Sequence, residues 1–114
     1  MSATDRELLE MAAKAAGFHF SWVGIDRDIP EILEKGTWNP LAFDGDALRL
    51  AVELRLHICN PGMESWAQRY LGEGNGWLTI KEPHDGNAST STRRAIVRAA
   101  AAIAAQQTQG GDKQ

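Results

Sequence analysis

An alanine-rich segment near the C-terminus constrains the fold more than any other feature. Residues 95–105 read AIVRAAAAIAA, and Ile96, Ala99, Ala100 and Ile103 recur at the spacing of one helical face. Alanine is the best intrinsic helix former, and its small side chain lets a helix approach a sheet closely. The sequence therefore predicts a long final helix that packs on a sheet.

Two further helices are predicted upstream of this segment. Thr4 and Glu7 have capping-box spacing, and apolar residues then recur at helical steps up to Gly17, so a helix is expected over 5–16. Asp44 and Asp46 are candidate N-caps of a second helix, whose apolar residues cover most of its circumference. So wide an apolar face predicts a helix that is buried on two sides.

The strand predictions come from alternation and from glycine-rich turns. Aromatic residues alternate over 18–22, which predicts a strand with Trp22 in the core. A short strand is expected over 56–60, and the tract GEGNG between residues 65–71 and 77–82 predicts a β-hairpin. Residues 24–43 are expected to be mainly loop, with PEILEKG able to form one or two helical turns.

These elements indicate an α+β domain in which three helices pack a small, antiparallel-rich sheet. The chain has 114 residues, which leaves no room for a second core, so residues 1–105 are interpreted as a single domain. From Gln106 onward the sequence QQTQGGDKQ has no apolar residue, and a disordered tail is expected over 106–114.

Composition excludes several classes of function. Twelve basic against fifteen acidic residues give a net charge of −3, which argues against general nucleic-acid binding. No apolar run reaches the roughly 20 residues that cross a bilayer, so no membrane association is expected. Cys59 is the only cysteine and the acidic N-terminus is unlike a secretory signal, so a cytoplasmic location is expected.

Two segments carry a family resemblance. They are WNPL at 38–41 with DGDALRLAV at 44–52, and STRRAIVRAA at 91–100. Together they resemble small proteins of tailed phages and prophages, the phage ABA-sandwich domain. The resemblance spans roughly residues 5–105 and implies a three-layer α/β/α arrangement and expression inside an infected bacterium. It implies no settled activity, although small accessory phage proteins often bind a host factor or signalling molecule.

The start of the last helix is the best candidate site. Hydroxyl and guanidinium groups are concentrated where helix N–H groups are unpaired, which suits phosphate or carboxylate binding. The alternative is that these hydroxyls only cap the helix and that the arginines are solvated or paired with acids. The residues concerned are Ser89, Thr90, Ser91, Thr92, Arg93 and Arg94.

Trp38 and Trp77 are the candidate stacking residues for a planar base. Both lie among glycine, asparagine or proline, where a tryptophan is hard to bury completely. The alternative is that they close the ends of the core, and the hypothesis fails for either ring that packs wholly inside the protein. For Trp66 the sequence leaves the side of the strand undetermined.

Neither a metal site nor a catalytic site is predicted. His57 and Cys59 share one strand face, but zinc needs three or four ligands and no second close pair is present. Paired aspartates at 26, 28, 44 and 46 lie where capping acids are expected. Because no nucleophile–base pair or catalytic motif is visible, the chain is interpreted as a non-enzyme without a cofactor.

Two hypotheses of function follow. In the first, a phage accessory protein sequesters a small anionic, nucleotide-like ligand, such as a host defence signal, at the last helix. In the second, an exposed aromatic and acidic surface blocks a host defence or regulatory protein. A homo-oligomer is also expected, because so short a chain has little interior for a pocket of its own.

Overall fold

The computed structural model describes residues 4–111 and confirms the α+β class. It contains three helices and two separate antiparallel sheets of three strands each. No helix in these residues is both long and apolar enough to span a bilayer. In chain order the elements are α1 (Asp5–Ala16), β1 (Phe20–Val23), β2 (Ile29–Ile32), β3 (Gly36–Thr37), α2 (Asp44–Glu53), β4 (His57–Cys59), β5 (Glu64–Tyr70), β6 (Trp77–Pro83) and α3 (Ala88–Gly111).

The capping-box prediction for α1 is confirmed. The Thr4 hydroxyl accepts a hydrogen bond from the Glu7 backbone N–H, and the Glu7 carboxylate accepts one from the Thr4 N–H. Gly17 ends the helix at φ 79°, a left-handed conformation that costs glycine little. Both ends of α1 are therefore fixed by local sequence.

The first sheet, in the order β1-β2-β3, corrects the loop predicted over 24–43. PEILEKG does not form helical turns, because Pro30 and Ile32 alternate into the core as strand residues. Pro30 lies opposite Trp22, and its carbonyl accepts a hydrogen bond from the Trp38 N–H. The alternation of buried and exposed residues in β2 is only four residues long. Turn-forming residues flank it, so the sequence did not indicate a strand there.

The second sheet, in the order β4-β5-β6, contains the predicted hairpin. Tyr70 pairs with Trp77, and Gly72, Gly74 and Gly76 take positive φ between them. Ser65 and Ala67 are fully buried on the face covered by α3. Helix α3 also packs against α1 and α2, so its alanine-rich surface occupies the centre of the core.

Helix α2 differs from its prediction in two ways. Its N-cap is Phe43, and neither Asp44 nor Asp46 caps it with a side chain. Asp46 is instead buried, where it accepts a hydrogen bond from the Asn39 N–H at 2.9 Å and pairs with Lys35 at 2.9 Å. The helix is buried on one side only, since Leu48 and Val52 are 64% and 69% exposed.

Helix α3 and the first strand, β1, each differ from their predictions in one respect. Helix α3 continues to Gly111 and so includes residues 106–111, which were expected to belong to a tail. Residues 112–114 of that tail lie outside the described residues. Trp22 is half-buried rather than fully in the core, because its ring meets the Arg6 guanidinium and its Nε1 donates to Glu10 at 2.6 Å.

Candidate functional site

The hydroxyls at the start of α3 are largely engaged within the protein. Asn87 precedes the helix, and its side-chain oxygen accepts from the Thr90 N–H at 3.0 Å. The Ser91 hydroxyl donates to the Pro83 carbonyl at 2.7 Å, and the Thr92 hydroxyl donates to the Ala88 carbonyl at 2.8 Å. Asn87 therefore caps the helix, while Ser91 and Thr92 are engaged as donors to backbone carbonyls and do not cap it. Ser89 remains exposed.

Arg93 is held rigidly at the same helix end. Its Nε donates to the Leu41 carbonyl at 2.9 Å, its Nη1 lies 2.5 Å from Asp44, and its Nη2 donates to the Thr90 hydroxyl at 3.1 Å. The Arg93 side chain is 17% exposed, while that of Asp44 is 79% exposed. An anion that replaced Asp44 would therefore meet a preorganised guanidinium.

Arg94 does not join Arg93. Its Nη1 lies 3.1 Å from the Asp5 carboxylate, so it connects α3 to the first turn of α1. The two adjacent arginines therefore serve different contacts, and the predicted arginine pair does not form a single anion site. On a helix, neighbouring residues point about 100° apart, which explains the divergence.

Trp38 is contradicted as a stacking residue. It is 2% exposed and lies in the core. Its ring makes edge-on contacts with Phe18 and Phe20, at centroid distances of 5.7 Å and 5.9 Å. Because the ring packs wholly inside the protein, its predicted role in binding is wrong, and Trp38 is a core residue.

Trp77 is exposed, but it lies away from the α3 start. It is 53% exposed and contacts Tyr70 and His57 at centroid distances of 5.4 Å and 5.3 Å. It begins β6, and the other end of β6 leads to α3, so a strand length of about 20 Å separates them along the sheet. Trp77 therefore cannot stack on a small molecule that is held by Arg93.

Trp66 lies on the same open face of the second sheet as Trp77. Cross-strand partners share a face, and Trp66 pairs with Lys81 and Cys59. The Lys81 ammonium lies 4.4 Å from the centroid of the Trp66 ring, and the buried Trp66 Nε1 has no hydrogen-bond partner among residues 4–111. The sequence could not assign this side, because the flanking residues on both faces are polar or small.

A groove between α2, β4 and the start of α3 brings some of the predicted residues together. Its volume is about 390 Å³, within the range of small-molecule sites. Its apolar wall includes Ile96 of α3, its polar end lies at the first two turns of α3, and we call it the α2–α3 groove. Its lining residues are Asp44, Ala47, Leu48, Ile58, Asn60, Ala88, Ser89, Thr92, Arg93 and Ile96.

A polar network behind the groove was missed by sequence reasoning. The Asn60 amide donates to the hydroxyls of Ser65 at 2.8 Å and Thr92 at 2.9 Å. The Ser65 hydroxyl also lies 2.8 Å from His84 Nε2 and 2.7 Å from Thr92 Oγ1. Sequence separations of 5 to 32 residues conceal these contacts, which depend on strand register and on how α3 crosses the sheet.

Ser65 and His84 are at the distance of a nucleophile and its base, but their setting is structural. Ser65 is fully buried, and its hydroxyl is shared among three partners. A nucleophile must reach its substrate, so the geometry favours a network that fixes α3 on the second sheet.

The residues considered for metal binding are dispersed. Within residues 4–111, no group of three histidine, cysteine or acidic residues is close enough to hold a metal ion. Cys59 and His57 are exposed on the edge strand β4, and Asp26 and Asp28 are exposed in the turn between β1 and β2.

Comparison with protein-family models, with curated proteins and with solved structures finds no match.

Proposed function

We propose that the protein is a non-catalytic binding module that holds a small, anionic, nucleotide-like ligand in the α2–α3 groove. The observation that carries the proposal is the composition of this groove, in which an apolar wall faces a polar end that contains Arg93 and Ser89. Apolar pockets with a few convergent polar groups are the usual form of small-molecule sites.

The apolar wall suits the planar part of such a ligand. Leu48, Ile58 and Ile96 line it, and Leu48 is largely exposed. A base placed there would cover apolar surface, at about 25 cal/mol for each Å² removed from water. Leu48 and Ile58 thereby take the place that the sequence assigned to Trp38 and Trp77.

The polar end suits a phosphate or a carboxylate. Arg93 is preorganised by Leu41 and Thr90, and its partner Asp44 is mostly exposed, so a ligand anion can reach the same guanidinium. On binding, Arg93 would exchange its ion pair with the Asp44 carboxylate for a charge-assisted pair with the ligand anion. The exposed hydroxyl of Ser89 adds a donor on the same side of the groove.

Sequestration is the role that fits such a module, since retaining a ligand requires no reacting group. The resemblance to phage ABA-sandwich proteins favours a signalling nucleotide of the host as the ligand. A phage protein of this kind would act by lowering the free concentration of the signal in the infected cell, and so counter a host defence.

The test is calorimetric titration with mononucleotides and cyclic dinucleotides, with uncharged nucleosides as ligand controls. Asp44→Asn releases Arg93, so we expect several-fold tighter binding of the nucleotides, on the scale of one screened ion pair. Asp5→Asn is the matched control, because it releases Arg94, which does not line the groove. Absence of binding by every nucleotide, or equal tightening by both variants, would contradict the proposal.

A second candidate, a module that blocks a host protein, is favoured by the turn between β1 and β2. Ile25 is completely exposed there, beside Asp26 and Asp28. An exposed isoleucine with flanking acids is suited to a partner with an apolar pocket and a basic rim. A host protein that co-purifies stoichiometrically with the wild type and is lost with Ile25→Glu would support this function.

A further inference from the structure

Helix α2 carries an apolar stripe that nothing in the described chain covers. Gly45, Leu48 and Val52 lie within about 60° of one another around the helix axis, by the 100° step of an α-helix. Leu48 and Val52 are 64% and 69% exposed. Ile58 extends the surface, since it is exposed and lines the α2–α3 groove together with Leu48. Contiguous apolar surface of this kind marks an interaction site more often than scattered apolar residues do.

One flank of this α2 stripe carries a positive residue followed, one turn later along the helix, by a negative one. Arg49 and Glu53 are both exposed and lie one turn apart, beside Leu48 and Val52. Neither residue is in an ion pair with the rest of the described chain. The order of the two charges reverses in an antiparallel copy of the helix, so each charge then faces its opposite.

We propose that the α2 stripe is a twofold interface with a second copy of this chain. An axis perpendicular to α2 at the level of Leu50 places Leu48 against the partner subunit's Val52. The midpoint of Arg49 and Glu53 is one residue further along, so Arg49 and the partner subunit's Glu53 are offset along the helix by two residues, about 3 Å, which long side chains accommodate. The same axis therefore satisfies both the apolar and the charged contacts, as an isologous interface requires.

The charge pattern favours a second copy over an unrelated partner. An acidic partner helix would pair with Arg49 and repel Glu53, and a basic one would do the reverse. An antiparallel copy pairs both residues, so two ion pairs cross the interface. The interface requires no bound ligand. It covers Leu48, which also lines the α2–α3 groove, so a second copy and a ligand would compete for that side chain.

The experiment measures the mass of the purified full-length protein across a concentration series by sedimentation equilibrium. We expect a dimer for the wild type and a monomer for Val52→Glu, which places a charge in the stripe without disturbing the core. Single reversals, Arg49→Glu or Glu53→Arg, place like charges opposite each other and are expected to raise the dimer dissociation constant about tenfold or more.

The double variant Arg49→Glu with Glu53→Arg distinguishes this interface from a general effect of charge. It restores both cross-subunit pairs, so its dissociation constant is expected to return to within about threefold of the wild type, or about 0.7 kcal/mol. Glu73→Arg is the matched control, since it makes the same charge change in the exposed turn between β5 and β6. Circular dichroism checks that each variant is folded. A monomeric wild type, a dimer that survives Val52→Glu, or a double variant as weak as the single ones would overturn the proposal.

Discussion

The loop after β3 and the hairpin between β5 and β6 each carry a tryptophan beside glycine and asparagine. Trp38 in the first lies in the core against Phe18 and Phe20, whereas Trp77 in the second is half exposed beside Tyr70. The difference arises from what packs over each segment. Helix α2 draws the first loop inward through Asp46, while the open face of the second sheet leaves Trp77 in contact with solvent.

The largest test of this comparison removes the Trp38 ring. Trp38→Ala deletes a fully packed aromatic side chain and leaves a cavity among Phe18, Phe20 and α2, so we expect a loss of about 3–5 kcal/mol in the free energy of unfolding. Urea denaturation followed by circular dichroism measures this loss. A loss under about 1 kcal/mol would show that the Trp38 ring is not packed against Phe18 and Phe20 in the core.

A second test breaks the anchor that holds the Trp38 loop inward. Asp46→Ala leaves the Asn39 N–H and the Lys35 ammonium without their carboxylate, and we expect a loss of about 1.5–3 kcal/mol in the free energy of unfolding. Asp26→Ala is the matched control, since Asp26 is exposed in a turn and is expected to change stability by no more than about 0.5 kcal/mol. Equal losses in the two variants would contradict the anchoring role.

The opposite behaviour is expected at the hairpin. Trp77→Ala removes a half-exposed ring whose contacts are Tyr70 and His57, so the loss in unfolding free energy is expected to stay near 1 kcal/mol or below. A double-mutant cycle with Tyr70→Ala measures the contact between these two rings directly. A coupling energy near zero would show that the pair does not stabilise the hairpin.

The two tryptophans also show how far sequence alone leads. Capping-box spacing, the glycine-rich turn and the alanine-rich face predicted α1, the hairpin and α3, because each depends on residues close together in the chain. The burial of Trp38, the strand at Pro30 and the network around Ser65 depend on contacts between elements, so no local pattern indicated them. The candidate site was predicted in part for the same reason, since Ser89, Thr92 and Arg93 line the groove, while Asn60 and Ile58 enter it only through the fold.

The smallest expected effect concerns the exposed edge of the sheet that shelters Trp38. The Glu34 carboxylate lies 2.7 Å from His19 Nδ1 and accepts from the His19 N–H at 3.1 Å. The side-chain hydrogen bond from His19 holds the pKa of Glu34 below its ordinary value. A carboxyl group whose pKa is lower in the folded state stabilises the protein above the unfolded pKa, and this stabilisation disappears as the pH falls through the folded pKa.

Glu34→Gln is therefore expected to lower stability slightly near neutral pH and to make no difference in acid. Urea midpoints for the wild type and the variant, measured at about pH 6 and about pH 3, bracket the ordinary glutamate pKa. The pKa of Glu7 is also lowered, through its hydrogen bonds with Thr4, but Glu7 is present in both proteins and its contribution cancels in their difference. A difference in urea midpoint that persisted or grew at the lower pH would mean that the Glu34 side chain stabilises the fold through packing and not through its charge. In that case this exposed part of the first sheet would resemble the core around Trp38 more than the solvent-facing hairpin.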